Sequence, residues 1–257
     1  MKDSTVQKEK VIVIDLGGTL ADGGCCSKNG SYMMFLRPGS VEFLEKISKL
    51  KEQHQEFNVI LWTSDNNSIT EMFFKKMQEK QIKNPFDHVI NIENNIAKSN
   101  MYLNSREYQI YKNNNKPVTL LDYKQIYFIE NNPKEFLKLQ ELYKTDDAPN
   151  KEVNFFLLPT MVEPTSIYQM GRCFGKKQSN FSKEQSLEIL HTIEDYSKDP
   201  TLKMVYQELE KLFDRKSQYG LYLNDFRQRF NEYHNIMQRH LINLYDIEQS
   251  IIDNIER

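Results

Sequence analysis

Three apolar runs in this chain end in side chains that bring oxygen atoms. Val11-Ile12-Val13-Ile14 closes on Asp15, and Leu16-Gly17-Gly18-Thr19-Leu20 follows. A tight glycine turn there holds the carboxylate outside the carboxyl end of a strand, where open α/β sheets place their sites. The run ending at Trp62 continues into Thr63-Ser64, hydroxyls suited to a phosphate oxygen, and the run from Ile126 ends in Glu130-Asn131, oxygen ligands suited to a hard cation. Taken singly, an acid at a strand end is an ordinary turn residue. Three such ends converging are not, since they bring oxygens suited to phosphate together with oxygens suited to a hard cation.

The elements that must position these groups follow from hydrophobic period. Short apolar runs alternate with amphipathic stretches through the first 160 residues, the pattern of β-α units building a parallel sheet. Strands are expected at 11–15, 58–63, 88–92, 126–130 and 153–158. Helix starts are expected at Ser40, at the capping box Ser68-x-x-Glu71 and at Asn132-Pro133-x-Glu135. The Asn-rich stretch at about 91–116 and the polar stretch 159–180 read as loop with short pieces of structure. After Phe181 the period becomes 3.6 and strands are expected to stop. Ser182 caps one helix to about Ser197, Asp199-Pro200 breaks it, a second runs to about Ser217, and Gly220 ends that one before a third. The expected fold class is therefore α/β, a doubly wound, mostly parallel sheet over residues 1–181, with a helical C-terminal extension over 182–257.

Composition narrows the function classes. With 39% hydrophobic residues, 27% charged, and only 9 Gly and 8 Pro in 257 residues, collagen-like and wholly disordered chains are excluded. A net charge of −2 gives no overall drive toward a polyanion, so nucleic acid is not an expected partner. No 18-residue apolar span is present, so no direct membrane span is expected. Of the three cysteines, Cys25 and Cys26 are adjacent and Cys173 is distant, which writes neither a disulfide framework nor a C-x-x-C motif and points to a reducing compartment. His54, His88, His191, His234 and His240 have no H-x-x-x-H or H-x-E spacing, so no transition metal is assigned. The segment Gly171 to Lys177 reads as a solvated connection rather than an anion loop.

The chain resembles the haloacid dehalogenase superfamily, within it the branch of RNA polymerase II C-terminal-domain phosphatases and the phosphatase-like subunit of the mitochondrial presequence translocase. VIVIDLGGTL resembles the family's strand and D-x-D-x-T-L motif, and FLRPGSVEFL its R-P-G segment at Arg37, Pro38 and Gly39. VILWTSD is similar to the second motif, with Thr63, and IYFIENNP to the V-x-x-D-N-S-P signature, with Glu130, Asn131 and Pro133. Lys116, in KPVTLL, matches the family lysine if two residues are missing after Leu121. The likeness covers roughly residues 9 to 212.

That resemblance implies an aspartyl-phosphate mechanism in which the first Asp attacks phosphorus, Mg²⁺ and a lysine hold charge, and a second Asp two residues on is general acid and base. Carried onto this chain, Asp15 is the nucleophile, Thr63 and Lys116 clamp phosphate, and Glu130 orients the lysine. Asp15, the Gly17 carbonyl and Asn131 would ligate Mg²⁺, the one cofactor implied. The second Asp, however, is Gly17, which has no proton to give. Losing a positioned acid and base costs on the order of 10²- to 10⁴-fold. The expectation is accordingly a catalytically degenerate domain serving as a structural or interaction subunit of a larger assembly. The alternative is a Mg²⁺-dependent phosphoserine phosphatase. Protein partners are expected to dock on a C-terminal helix over 223–255, whose seam carries Phe226, Phe230, Tyr233, Met237, His240, Leu244, Ile247 and Ile251. The tail's likeness to the translocase subunit favours mitochondria, with cytoplasm or nucleus as the alternatives.

Overall fold

The computed structural model describes residues 9–25, 32–54, 56–91, 110–111, 117–118, 120, 123–144, 151–161 and 197–227, with single positions at 184, 187, 191, 195, 235 and 239. A six-stranded sheet organises them. In chain order its strands are β1 (Lys10–Ile14), β4 (Phe57–Trp62), β5 (His88–Ile90), β8 (Gln125–Glu130), β9 (Glu152–Leu157) and β10 (Gly220–Asp225). They lie in the order β10-β9-β8-β1-β4-β5, and every pairing is parallel. Two short antiparallel pairs stand apart: β2 (Ala21–Cys25) with β3 (Tyr32–Leu36), and β6 (Ile110–Tyr111) with β7 (Pro117–Val118).

The sheet is apolar on both faces, which is why its strands read as near-continuous hydrophobic runs. Ile12 and Ile14 of β1 join one core with Val59 and Leu61, beneath helices α1 (Ser40–Gln53), α2 (Asn67–Glu79) and α4 (Thr201–Phe213). Val11 and Val13 point the other way, into a second core with Ile60, Trp62, Ile126 and Phe128, closed by Leu139 of α3 (Pro133–Lys144). Helices on both faces of a parallel sheet make the doubly wound α/β architecture that the alternating runs predict. The chain leaves β1 toward β4 and β5, then returns to its other side with β8, β9 and β10. The carboxyl ends of β1, β4 and β8 therefore flank the point where strand order reverses, the position at which such sheets open a crevice.

Several local expectations are corrected. Helix α2 is capped not by Ser68 but by Asn66, whose side chain accepts from Ile69 N at 3.1 Å, and Ser68 lies inside the helix. Ser40 is the first residue of α1, yet its hydroxyl donates to Leu20 O at 2.7 Å and caps nothing; Gly39, with φ 80°, holds the N-cap position. Asn132 does cap α3, accepting from Lys134 N at 3.1 Å ahead of Pro133. Helix α4 stops at Phe213, short of Ser217.

The larger correction lies at the end of the chain. Strands do not stop at Phe181, and Leu223 does not begin a helix: 220–225 is β10, paired residue for residue with β9. The Gly220 and Phe226 amides continue this pairing onto Lys151 O at 3.0 Å and Leu157 O at 2.8 Å. Phe226 then enters the first core, stacked on Phe156 with centroids 6.1 Å apart. Non-local pairing on an open sheet edge outweighs the helical spacing of a few apolar residues. A division at 181/182 thus does not coincide with an edge of the sheet. Glu184, Leu187, His191, Asp195 and Ser197 are helical, on the stretch where a Ser182-capped helix is expected. The rest of the seam from Phe230 to Ile251, the segment Gly171 to Lys177, Cys26 and Cys173 lie outside the described residues.

Candidate functional site

Register brings the first groups together. Ile14 is level with Ile129 on β8 and with Leu61 on β4, so Asp15 emerges beside Glu130 and opposite the end of β4. The Asp15 amide donates to Ile129 O at 3.0 Å, carrying the pairing one residue past β1. A cleft of about 390 Å³ opens there, lined by Asp15, Gly17, Ser64, Asp65, Glu130 and Asn131 together with Asn132, Pro133, Glu135 and Thr160.

The turn after β1 is shaped to present Asp15. Leu20 N and Ala21 N both donate to Leu16 O, at 3.0 and 3.1 Å, and Gly18 N donates to Ala21 O at 2.8 Å. Gly18 has φ 74°, and a Cβ there would run into Asn131 Nδ2 and lie 3.2 Å from Thr160 Cγ2. Only glycine fits the conformation and the close approach. Thr19, fully buried, donates its hydroxyl to Asp15 Oδ2 at 2.8 Å and lies 3.3 Å from Asn131 Oδ1, tying the first and third strand ends to each other. Asp15 is only 5% exposed. A carboxylate so placed keeps its charge only with hydrogen bonds or a cation beside it.

Arg37 supports this turn from behind. Its guanidinium, 2% exposed, donates from Nη1 to Gly18 O at 3.3 Å and from Nη2 to Pro159 O at 3.0 Å, while Nε pairs with Asp199 Oδ2 at 2.7 Å.

Of the sequence-predicted residues, Asp15, Gly17, Glu130 and Asn131 meet in the cleft. Thr63 is buried at the end of β4 and donates its hydroxyl to Asp65 Oδ2 at 2.6 Å, so Ser64 and Asp65 line the cleft in its place. Glu130 Oε1 accepts from the Asn131 and Asn132 amides, both at 3.0 Å, which turns the chain into α3. Lys116 lies outside the described residues, and with it the expected lysine–Glu130 pairing. Sequence reasoning passed over Thr19, Thr160 and Asp65. Thr19 and Asp65 stand within the quoted motifs, four residues after Asp15 and two after Thr63, but only the fold shows that Asp65 reaches Gly17.

The lining carries four acids, Asp15, Asp65, Glu130 and Glu135, and no basic side chain among the described residues. Glu135 is offset by Lys138 at 3.1 Å. No three His, Cys, Asp or Glu converge as a metal-binding group among the described residues. That donor set still fits Mg²⁺, which takes one or two carboxylates and completes its shell with neutral oxygens, water and substrate phosphate: Asp15 supplies the carboxylate, and Asn131 Oδ1 and the Gly17 carbonyl are hard neutral donors. Among the described residues no helix is long and apolar enough to cross a membrane.

The family model described as NLI interacting factor-like phosphatase matches residues 10–154. No curated protein matches the chain. Six chains of solved structures match. One belongs to the Pnkp1/Rnl/Hen1 RNA repair complex, at 15% identity over 60% of this chain and 40% of that one, with a TM-score of 0.25. Another is Fcp1, an essential RNA polymerase II CTD phosphatase, at 14% identity over 93% of this chain and 64% of that one, with a TM-score of 0.33. The chain spans less than two thirds of the length of either structure.

Proposed function

Since the chain belongs to the NLI interacting factor-like phosphatase family, we propose that it hydrolyses phosphomonoesters with Mg²⁺ through a phosphoryl group carried on Asp15. The observation that carries this reading is the nearly buried Asp15 carboxylate at the strand-order reversal, held by Thr19 at 2.8 Å and opening on a cleft shared with Asn131. Phosphoserine in a protein is the substrate suggested by the sequence resemblance.

Thr19 fixes the Asp15 carboxylate, limiting its rotation and directing it for attack. Asp15, the Gly17 carbonyl and Asn131 would hold Mg²⁺, which would offset the phosphate charge in a cleft whose charged lining residues are all acids. The Ser64 hydroxyl can donate to a phosphate oxygen, and Arg37 holds the Gly18 carbonyl so that the turn keeps its shape. The test is hydrolysis of a phosphoserine peptide with Mg²⁺. Turnover of ~1 per second or faster that vanishes in Asp15→Asn is the expected result. Turnover unaffected by Asp15→Asn, or none at all, would reject the proposal.

A second reading, an interaction subunit of a larger assembly, is favoured by one observation: position 17 carries no side chain. The mitochondrial compartment and docking through the part of 223–255 that follows Phe226 belong to that reading. It predicts a partner retained in native pull-down by wild type and Asp15→Asn alike, with no phosphate release by either.

A further inference from the structure

A side chain added at Gly17 would meet one group. A Cβ built there lies 3.4 Å from Asp65 Oδ2, and no other described atom outside its chain neighbours comes within 4 Å. The space that an acid two residues after Asp15 would enter already borders a carboxylate, contributed by the loop after β4. We infer that Asp65 performs the proton transfers of the phosphoryl reaction in place of the side chain absent at position 17. This rests on the phosphatase reading of the cleft.

Asp65 is built to be held still. Its amide donates to Thr63 Oγ1 at 3.0 Å, and that hydroxyl donates back to its Oδ2 at 2.6 Å, closing a small ring on a buried threonine. Thr63 is itself fixed, its amide donating to Ile90 O at 2.9 Å. One carboxylate oxygen is thereby locked, and no described group bonds Oδ1. The other acids of the cleft are committed elsewhere: Glu130 Oε1 to two backbone amides, Glu135 to Lys138, and Asp15 to the nucleophilic role. The neutral lining residues, Ser64, Asn131, Asn132 and Thr160, are poor proton donors at neutral pH. Among the described residues, Asp65 alone combines a carboxyl group with a place in the cleft against position 17.

An Asp15 oxygen attacks phosphorus, the bond from phosphorus to the ester oxygen breaks, and that oxygen leaves with the proton of the Asp65 carboxylic acid as an alcohol. Asp65, now a carboxylate, takes a proton from water as the water oxygen attacks the phosphoryl group on Asp15. The Asp15–phosphorus bond breaks, inorganic phosphate leaves, and both side chains return to their starting states. An alkyl phosphate needs the first proton; a nitrophenyl phosphate, with a stable phenolate leaving group, does not.

The experiment compares wild type, Asp65→Asn, Gly17→Asp and the Gly17→Asp/Asp65→Asn double variant on a phosphoserine peptide and on p-nitrophenyl phosphate with Mg²⁺. Intact mass after acid quench reads the phosphorylated protein. Asp65→Asn should lose ~10²-fold or more on the peptide. On the nitrophenyl ester it should still form, and then accumulate, the phosphorylated protein. The double variant should regain at least about tenfold, because an acid is restored one contact away, whereas Gly17→Asp alone should gain less than about threefold. Asp65→Asn turnover near wild type, or a tenfold gain from Gly17→Asp alone, would overturn the assignment of Asp65 while leaving the phosphatase reading intact. The Gly17→Asp arm holds even if Asp65→Asn does not fold. A wild type with no Asp15-dependent phosphorylation would overturn both.

Discussion

Arg37 and Asp199, 162 residues apart in the chain, form a buried ion pair with Nε 2.7 Å from Oδ2. Asp199 Oδ1 also accepts from Thr201 N at 2.9 Å, so one carboxylate holds the first amide of α4 and anchors the arginine that grips the turn after β1. The R-P-G segment is thereby joined to the C-terminal part of the domain. Removing one partner strands a buried charge, so Arg37→Met should cost about 3–5 kcal/mol in urea unfolding. Arg37→Met/Asp199→Leu should cost less than the sum of the two single changes, with a coupling of roughly 0.5–3 kcal/mol. Additive losses would show that the pair is not a unit.

Adjacent glycines should respond in opposite ways. Gly18→Ala forces a Cβ onto the Asn131 amide at a φ of 74°, and should cost about 1–3 kcal/mol while displacing a residue that lines the cleft. Gly17→Ala meets only Asp65 at 3.4 Å and should change stability by less than about 0.5 kcal/mol. Thermal melting of the two variants side by side is the measurement.

Mg²⁺ should stabilise the fold by linkage. At about 100 times its Kd a ligand adds roughly 2.7 kcal/mol, which for a domain of this size is a shift of roughly 5–10 °C. Asp15→Ala and Asn131→Ala should each abolish the shift, and Lys138→Ala, which removes only the cation paired with Glu135, should keep it. An equal shift in Asp15→Ala would place the ion elsewhere.

Asp15, Glu130 and Asn131 were legible in the sequence because each follows an apolar run, and in a parallel sheet such ends come level. Asp65 was not. Its nearness to Gly17 depends on the loop after β4 folding back across the end of β1, a meeting of residues 48 positions apart that no local period encodes. The Arg37–Asp199 pair was hidden for the same reason. The hairpin β2–β3 escaped because Gly23 and Gly24 weaken any strand signal. Strand β10 escaped because Leu223 and Phe226 stand three apart, the step of a helix, while the pairing with β9 that decides their conformation is non-local.

Glu152, at the opposite end of the sheet, sets an acid limit on stability. Burial pushes its pKa up, but the opposing bonds prevail: Oε2 accepts from Gln125 Nε2 and Gln218 N, both at 2.9 Å, Oε1 accepts from Asn154 Nδ2 at 2.8 Å, and Arg215 stands 3.4 Å away. The net result is a pKa below the ordinary glutamate value of 4.5. A depressed folded-state value means that its stabilisation is fully present above the unfolded pKa and is lost as pH falls through the folded one. Glu152→Gln should therefore cost roughly 1.5–3 kcal/mol at neutral pH, and the gap to wild type should be flat above about pH 5 and close only in stronger acid. A gap that widens on acidification would contradict this account.

The strand at 220–225 makes a prediction that a helix over the same residues would not. On a helical seam Leu223 and Phe226 face one way and should matter alike. In the observed arrangement they part: Leu223 sits 42% exposed on the edge strand, while Phe226 is fully buried against Phe156. Phe226→Ala removes a ring from a packed core and leaves a cavity, so it should cost about 3–5 kcal/mol. Leu223→Asp should cost less than about 1 kcal/mol, since its side chain already meets water and the backbone pairing with β9 does not depend on it. Urea unfolding of the two variants decides the matter. Equal, large losses would restore a shared buried face, and a negligible loss at Phe226 would detach β10 from the domain.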